Sequence, residues 1–379
     1  MDVVLAAGGA PWEAAAIGEI EGSSKLRLAR RCVDVADLLA VTHTGVASAA
    51  LVHTELSGLD ADAVHRLERA GVRVAAVEAD EARCLGLGIS RRLSIGALEV
   101  LTRDTVAADT SPDRGTIVAV WGPAGAPGRS TVALSLAAAA AAQGVDTVLV
   151  DADTYGGALA QLLAVLDDVS GLMAACRAAN NGHPGQVDDH LLEIEPQLRL
   201  LTGLPRADMW PQIRPGALEL VLRQLRSTAE LVVIDCGFAL EPGAGTGSTR
   251  NQATLQTLEL ADQVVAVGKA DPVGLARLVR GVHDLAEARR GAQPPTVVIN
   301  MMRSTLGWKE REVDSTLRRL TGLATTSFLP FDQLSLDAAM MSGRTPRLAA
   351  PSSPFVARVE VLAKQLATES RGRSTVSAS

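Results

Sequence analysis

The chain has 379 residues, enough for two average domains, and 47% of them are hydrophobic against 21% charged; that balance excludes global disorder and supports a large packed core. Aromatic residues make up only 2%, so the core must be aliphatic. The formal net charge of −7 gives no global electrostatic footprint for nucleic acid.

In chain order, residues 2–7 (DVVLAA) read as a short buried strand and Trp12–Glu21 as a helix. No basic segment leads into an apolar stretch at the start, so no signal peptide is expected. Residues 26–32 are strand-like, Val35–Val41 helical, and Ala47–His53 a further buried strand. Asp60 caps a helix through Arg69 that ends at Gly71. Val72–Val77 reads as a strand, Asp80–Leu87 as a helix and Leu98–Thr102 as a last strand. Strands alternating with helices predict a small doubly wound α/β domain over 1–103. Residues 104–115 (DTVAADTSPDRG) read as a polar linker.

A stronger alternation follows over 116–368. Thr116–Trp121 is a strand, then comes a Gly/Pro loop, then a helix from Arg129 to about Gln143. The apolar run Val132–Ala142 is too short to span a bilayer and reads as part of that buried helix. Thr147–Asp151, Gln197–Leu201, Leu231–Asp235, Gln263–Gly268 and Thr296–Asn300 are further strands, near-continuously apolar as in a parallel sheet covered on both faces. Residues 355–367 read as a core-packing helix, and 369–379 as a disordered polar tail. The fold class expected is therefore α/β, with two doubly wound parallel-sheet domains. The four cysteines form no CxxC pair and no zinc spacing with histidine, so free thiols in a reducing cytoplasm are expected.

The chemistry concentrates in 116–131 (TIVAVWGPAGAPGRST). A buried strand, a Gly-rich turn and a helix start are the context of a phosphate loop, whose backbone N–H groups and helix N-terminus favour an anion. Ser130 would turn its hydroxyl to Mg²⁺. Two further strands end in carboxylates: Asp151, followed by Asp153, and Asp235. Carboxylates at the C-terminal edge of a parallel sheet sit at the ligand crevice. Each alone could equally cap a helix; together and in this order they are far more specific.

These stretches resemble the ParA/MinD family of partitioning and positioning ATPases, and within it the CpaE/TadZ branch that localises pilus machinery. The resemblance covers about 115–367 and rests on GPAGAPGRSTVALSLAAA, VLVDADTYGG, LVVIDCG, VVIN and LPFDQLSLDAAMMSGRTP. It implies ATP and Mg²⁺ as ligands. Gly125, Gly128, Arg129, Ser130 and Thr131 would hold phosphate, and Asn300 would contact adenine. Asp151 and Asp153 would orient the attacking water and the dimer switch, and Asp235 would reach Mg²⁺ together with Ser130. It further implies a homodimer, protein partners in a pilus, secretion or division apparatus, no integral membrane segment, and a cytoplasmic protein recruited to a pole or membrane by those partners.

Departures from the family pattern put hydrolysis in doubt. Arg129 stands at the Walker lysine and Ala124 at the second, signature lysine. Pro127 removes one N–H from the cradle, and Pro123 stands where the first glycine belongs. A non-hydrolysing scaffold is thus one alternative, and a chromosome-partitioning DNA binder the other. Arg277, Arg280, Arg289, Arg290, Lys309, Arg311, Arg318 and Arg319 would serve the latter, although solvated helix faces are the commoner meaning of such runs. The first domain looks like a receiver lacking its acidic pair, phosphoacceptor and lysine. His53 at its third strand's end reads as structural, and docking as the domain's task.

Overall fold

The computed structural model describes residues 1–103, 115–125, 127–166, 169–243 and 249–376. The expected linker, except Gly115, lies outside the described residues. The chain divides into two compact units, both α/β.

The first unit opens with β1 (Asp2–Ala6), α1 (Glu13–Gly22), β2 (Arg27–Arg31), α2 (Val35–His43) and β3 (Ala49–Val52). It continues through α3 (Ala61–Arg69), β4 (Arg73–Val77), α4 (Glu81–Leu87) and β5 (Arg91–Leu93). Its strands form a parallel sheet ordered β2-β1-β3-β4-β5. Asp34, Asp60 and Asp80 start α2, α3 and α4 by accepting from the backbone N–H three residues on, which satisfies a donor the helix leaves open. Leu5, Leu38, Leu51 and Leu67 are wholly buried.

The fifth strand is Arg91–Leu93, and Leu98–Thr102, expected to be a strand, is a 3₁₀ turn. Its leucines 98 and 101 are buried while the residues between them are not, a spacing of three that suits 3₁₀ geometry rather than a pleat. His53 meets Trp12 edge-on with ring centroids 6.1 Å apart, a packing role. Two later segments, 175–187 and 214–224, group with this unit rather than with the chain around them.

The second unit comprises 113–174, 188–213 and 225–379. Its elements begin with β6 (Thr116–Trp121), α5 (Arg129–Ala141), β7 (Thr147–Ala152) and α6 (Leu159–Leu162). Next come α7 (Gly171–Asn180), β8 (Leu192–Glu195), β9 (Leu198–Leu201) and α8 (Pro215–Thr228), of which α7 and α8 run partly into the first unit. Then follow β10 (Leu231–Cys236), α9 (Gln252–Leu260), β11 (Gln263–Lys269), α10 (Pro272–Ala288) and β12 (Thr296–Met302). The last are α11 (Glu310–Thr321), β13 (Thr325–Pro330), α12 (Gln333–Ser342), α13 (Pro346–Ala349) and α14 (Pro354–Val376).

The sheet order is β13-β12-β11-β6-β10-β7-β9-β8, parallel except for the edge strand β8. Val118 and Val120 face a core shared with Leu136 of α5 and Phe355 and Leu362 of α14. Trp121, pointing to the opposite face, meets α10 at Gly281. The sheet is thus covered on both sides, and its strands are apolar throughout for that reason. α14 continues through residues 369–376, where polar composition predicts disorder; once nucleated, a helix adds one backbone bond per residue, and no proline stops it there. All four cysteines are buried free thiols. Among the described residues no helix is long and apolar enough to cross a membrane.

Candidate functional site

β6 lies between β10 and β11, so the loop leaving its C-terminal end sits at the reversal of strand order, the usual crevice of such sheets. Gly122 must be glycine because a Cβ there would strike the Val267 carbonyl. Gly125 (φ +112°) and Gly128 (φ +88°) take left-handed backbone, which glycine adopts without strain. Gly128 starts α5, whose ladder opens with Val132 N–H donating to the Gly128 carbonyl at 3.0 Å. The N–H groups of Arg129, Ser130 and Thr131 precede that ladder and point out of the helix start.

Asp151 and Asp235 are register partners on the adjacent strands β7 and β10. Asp151 is 2% exposed and accepts from the backbone N–H of Asp153 at 3.3 Å and of Leu159 at 3.1 Å. A Cβ on Gly157 or Gly203 would come within 2.6 and 2.7 Å of its carboxyl group, so both glycines make the space it occupies. Burial, with the charge of Asp153, pushes its pKa up to about 7. Asp153 accepts from the Tyr155 and Gly156 N–H groups at 2.8 and 3.4 Å.

Asp235 is wholly buried, and neither of its oxygens has a hydrogen bond of good geometry among the described residues. Burial and the charge of Asp151 raise its pKa well above the carboxylate range. The Ser130 hydroxyl lies close enough to oppose that shift without being aligned for a full bond. An orphaned buried carboxylate of this kind calls for an unseen cation or water.

Arg129 is turned inward. Its Nε donates to the Cys236 carbonyl at 3.1 Å, Nη1 to the Gly122 carbonyl at 3.2 Å, and Nη2 to Asp153 Oδ2 at 3.2 Å. Its side chain is 12% exposed and that of Asp153 5%. The guanidinium therefore ties the loop to the ends of β10 and β7, a three-way bridge that a single ammonium could not reproduce.

Asn300, expected at an adenine, is buried against the loop. Its Nδ2 donates to the Pro127 carbonyl at 2.8 Å, and its Oδ1 accepts from the Met301 N–H at 2.8 Å. The reason is steric: Gly128 leaves room for the amide beside it, and the carbonyl of Pro127 needs a donor once enclosed. The structure thus brings Asp151, Asp153, Asp235, Arg129 and Ser130 together, with Gly125, Gly128 and Thr131 framing the turn. Asn300 supports that turn from beneath.

Two groups near the site escape sequence reasoning. Tyr155, the chain's one tyrosine, bonds Asn251 through its hydroxyl at 2.6 Å and lies under the Arg250 guanidinium at 4.2 Å. Arg250 in turn donates twice to the Thr154 carbonyl, at 3.1 and 3.0 Å. The segment 153–156 is thereby clamped to 249–251; a lone tyrosine after DADT was the available signal. The second is Lys269, which with Arg277, read in the sequence only as a candidate for DNA, lines a cavity of about 420 Å³ beside the loop over 122–128.

No family model matches the chain, and no curated protein matches it. Solved structures do. The ParA family ATPase from Chlorobium tepidum TLS superposes with a TM-score of 0.57 at 16% identity, covering 65% of this chain and 98% of that one. The cell division ATPase MinD of Pyrococcus furiosus gives 0.55 at 18%, covering 67% and 99%. The septum site-determining protein MinD of Pyrococcus horikoshii OT3, solved with Mg-ADP, gives 0.51 at 17%, covering 66% and 96%. At such identities the likeness is one of fold: an α/β chain similar to the P-loop ATPases of the ParA/MinD type.

Proposed function

We propose that this chain is an ATP-binding positioning protein of the ParA/MinD kind. The observation that carries the reading is Asp235: a buried carboxylate with no hydrogen bond of good geometry among the described residues, in register with Asp151 and facing Ser130 at the start of α5. That donor set suits Mg²⁺, a hard cation that takes oxygen ligands, uses one or two carboxylates and keeps several waters. Among the described residues no cluster of three or more His, Cys, Asp or Glu is placed to hold a metal ion. Ser130 and Asp235 would hold Mg²⁺, while Gly125, Gly128 and the N–H groups of Arg129, Ser130 and Thr131 would face phosphate. When bound, the ion would neutralise charge on the phosphates. Asp151 and Asp153 would orient water and couple the occupied site to the 153–156 loop.

On this reading the protein dimerises when nucleotide is bound and localises a pilus, secretion or septum assembly from the cytoplasm, recruited to a pole or membrane by its partners, in the manner of the CpaE/TadZ branch. The first unit would serve as a docking pseudo-receiver. Mg·ATP titrated calorimetrically into the purified protein, with phosphate release followed in the same sample, tests it. Saturable binding with slow release that Asp151→Ala abolishes is expected; no binding at millimolar ATP would sink it.

One observation favours a second reading, a scaffold that does not hydrolyse. The inward bridge of Arg129 leaves the loop without a side-chain cation facing outward, and phosphoryl transfer depends on donors placed on the developing charge. Binding without release would select it. No observation favours the DNA-binding alternative.

A further inference from the structure

With Arg129 engaged, the described part of the loop over 122–128 presents no charge of its own, yet two cations stand against its outer side. Arg277, exposed on α10, donates from Nη1 to the Ala124 carbonyl at 3.4 Å and lies where a Gly125 side chain would be. Lys269, at the end of β11, pairs with Asp271 at 3.1 Å. Asp271 is itself committed, accepting from the Gly274 N–H at 2.8 Å as the cap of α10; that bond, together with Lys269 and the charge of Arg303, holds its carboxyl below the usual range. Together with Pro123, Pro127 and Val273 these residues line the open 420 Å³ cavity, a volume typical of small-molecule sites. Charges within it sum to one positive, Lys269 and Arg277 against Asp271, and α10 opens its N-terminus there.

Among the described residues the loop contact of Arg277 is long and single, which leaves guanidinium N–H donors for a ligand. Arginine in an open cleft is suited to oxyanions, which it grips through two parallel bonds. We infer that this cavity is an anion seat for a polyphosphate, in which Arg277 is the binding cation that the loop no longer supplies. The inference rests on the nucleotide reading only for the identity of the ligand: the tail of ATP is the polyphosphate that reading provides.

Sodium triphosphate and Mg·ATP, titrated separately into the full chain at fixed ionic strength, test the seat. The variants are Arg277→Ala, Arg277→Lys and Ala124→Asp, the last placing an anion in the cavity without touching α10. Loss of a charge-assisted contact should weaken both ligands about tenfold in Arg277→Ala, and less in Arg277→Lys; Ala124→Asp should weaken both at least as much. The exposed position of Arg277 predicts an unchanged circular dichroism spectrum. Wild-type affinity for both ligands in Arg277→Ala and Ala124→Asp would overturn the seat and leave the nucleotide reading standing. Arg277-dependent binding of triphosphate with none of Mg·ATP would uphold the seat and sink that reading. No binding of either ligand to the wild type would overturn both.

Discussion

Arg129 shows how one residue can keep its charge and change its task. Because it is nearly buried and pairs with a buried Asp153, removing it leaves that carboxylate without compensation. Arg129→Ala is therefore expected to lower the unfolding free energy by about 3 kcal/mol, read as a shifted urea midpoint at unchanged slope. Asp151 supplies the pH dependence. Its folded pKa, raised to about 7, exceeds its unfolded value, so the native state binds more protons between the two. Stability is accordingly highest below about pH 4 on this group's account and declines as pH rises toward 7. Asp235 acts in the same direction. In chelator-treated protein, Asp151→Asn should flatten that decline; an unchanged slope would show that Asp151 is ionised in the fold. The identity and spacing of these residues were legible in the sequence. Which way Arg129 points was not, because two of its three targets are the carbonyls of Gly122 and Cys236, and backbone acceptors leave no mark on composition. The support Asn300 gives the loop was not legible for the same reason: its partner is the carbonyl of Pro127.

The elements were legible where burial was uniform. β6, β7, β10, β11 and β12 are apolar runs covered on both faces. β13 and β8 escaped because they are edge strands with half-exposed residues, Thr325–Pro330 and Leu192–Glu195. The Leu98–Thr102 turn was misread because leucine, valine and threonine serve a strand as well as a tight turn. α10 allows a prediction at this scale. Replacing a helix glycine by alanine ordinarily stabilises by up to about 1 kcal/mol, but a Cβ on Gly281 would stand 2.9 Å from the Trp121 ring and 3.3 Å from Pro123. Gly281→Ala should instead cost about 1–3 kcal/mol by overpacking, and displace the cavity wall carrying Arg277. A thermal-melt comparison with Gly144→Ala would not serve as a control, since Gly144 has φ +82°; Gly18, open and at ordinary φ in α1, would.

For the whole molecule, the α/β class and the site's place at the strand ends were legible, whereas the return of 175–187 and 214–224 to the first unit was not. Those segments carry ordinary amphipathic patterns, and only contacts such as Arg214 with Asp60, Glu219 with His65 and Gly216 against Ala61 show where they belong. A fragment beginning at residue 113 is therefore expected to expose apolar surface, bind a hydrophobic dye and aggregate on size exclusion, while the full chain does neither. Fragment behaviour equal to the full chain would show that the two segments need no cover from residues 1–112. The sheet order also has a consequence for synthesis. β6 leads into the glycine-rich loop over 122–128, yet its neighbours β10 and β11 begin at residues 231 and 263. On a ribosome adding about 5–20 residues per second, the strand that carries the loop waits on the order of 5–20 s before either neighbour exists. Until then an unpaired, largely apolar strand is on offer to any other nascent chain, and chaperone capture should be heaviest in that interval.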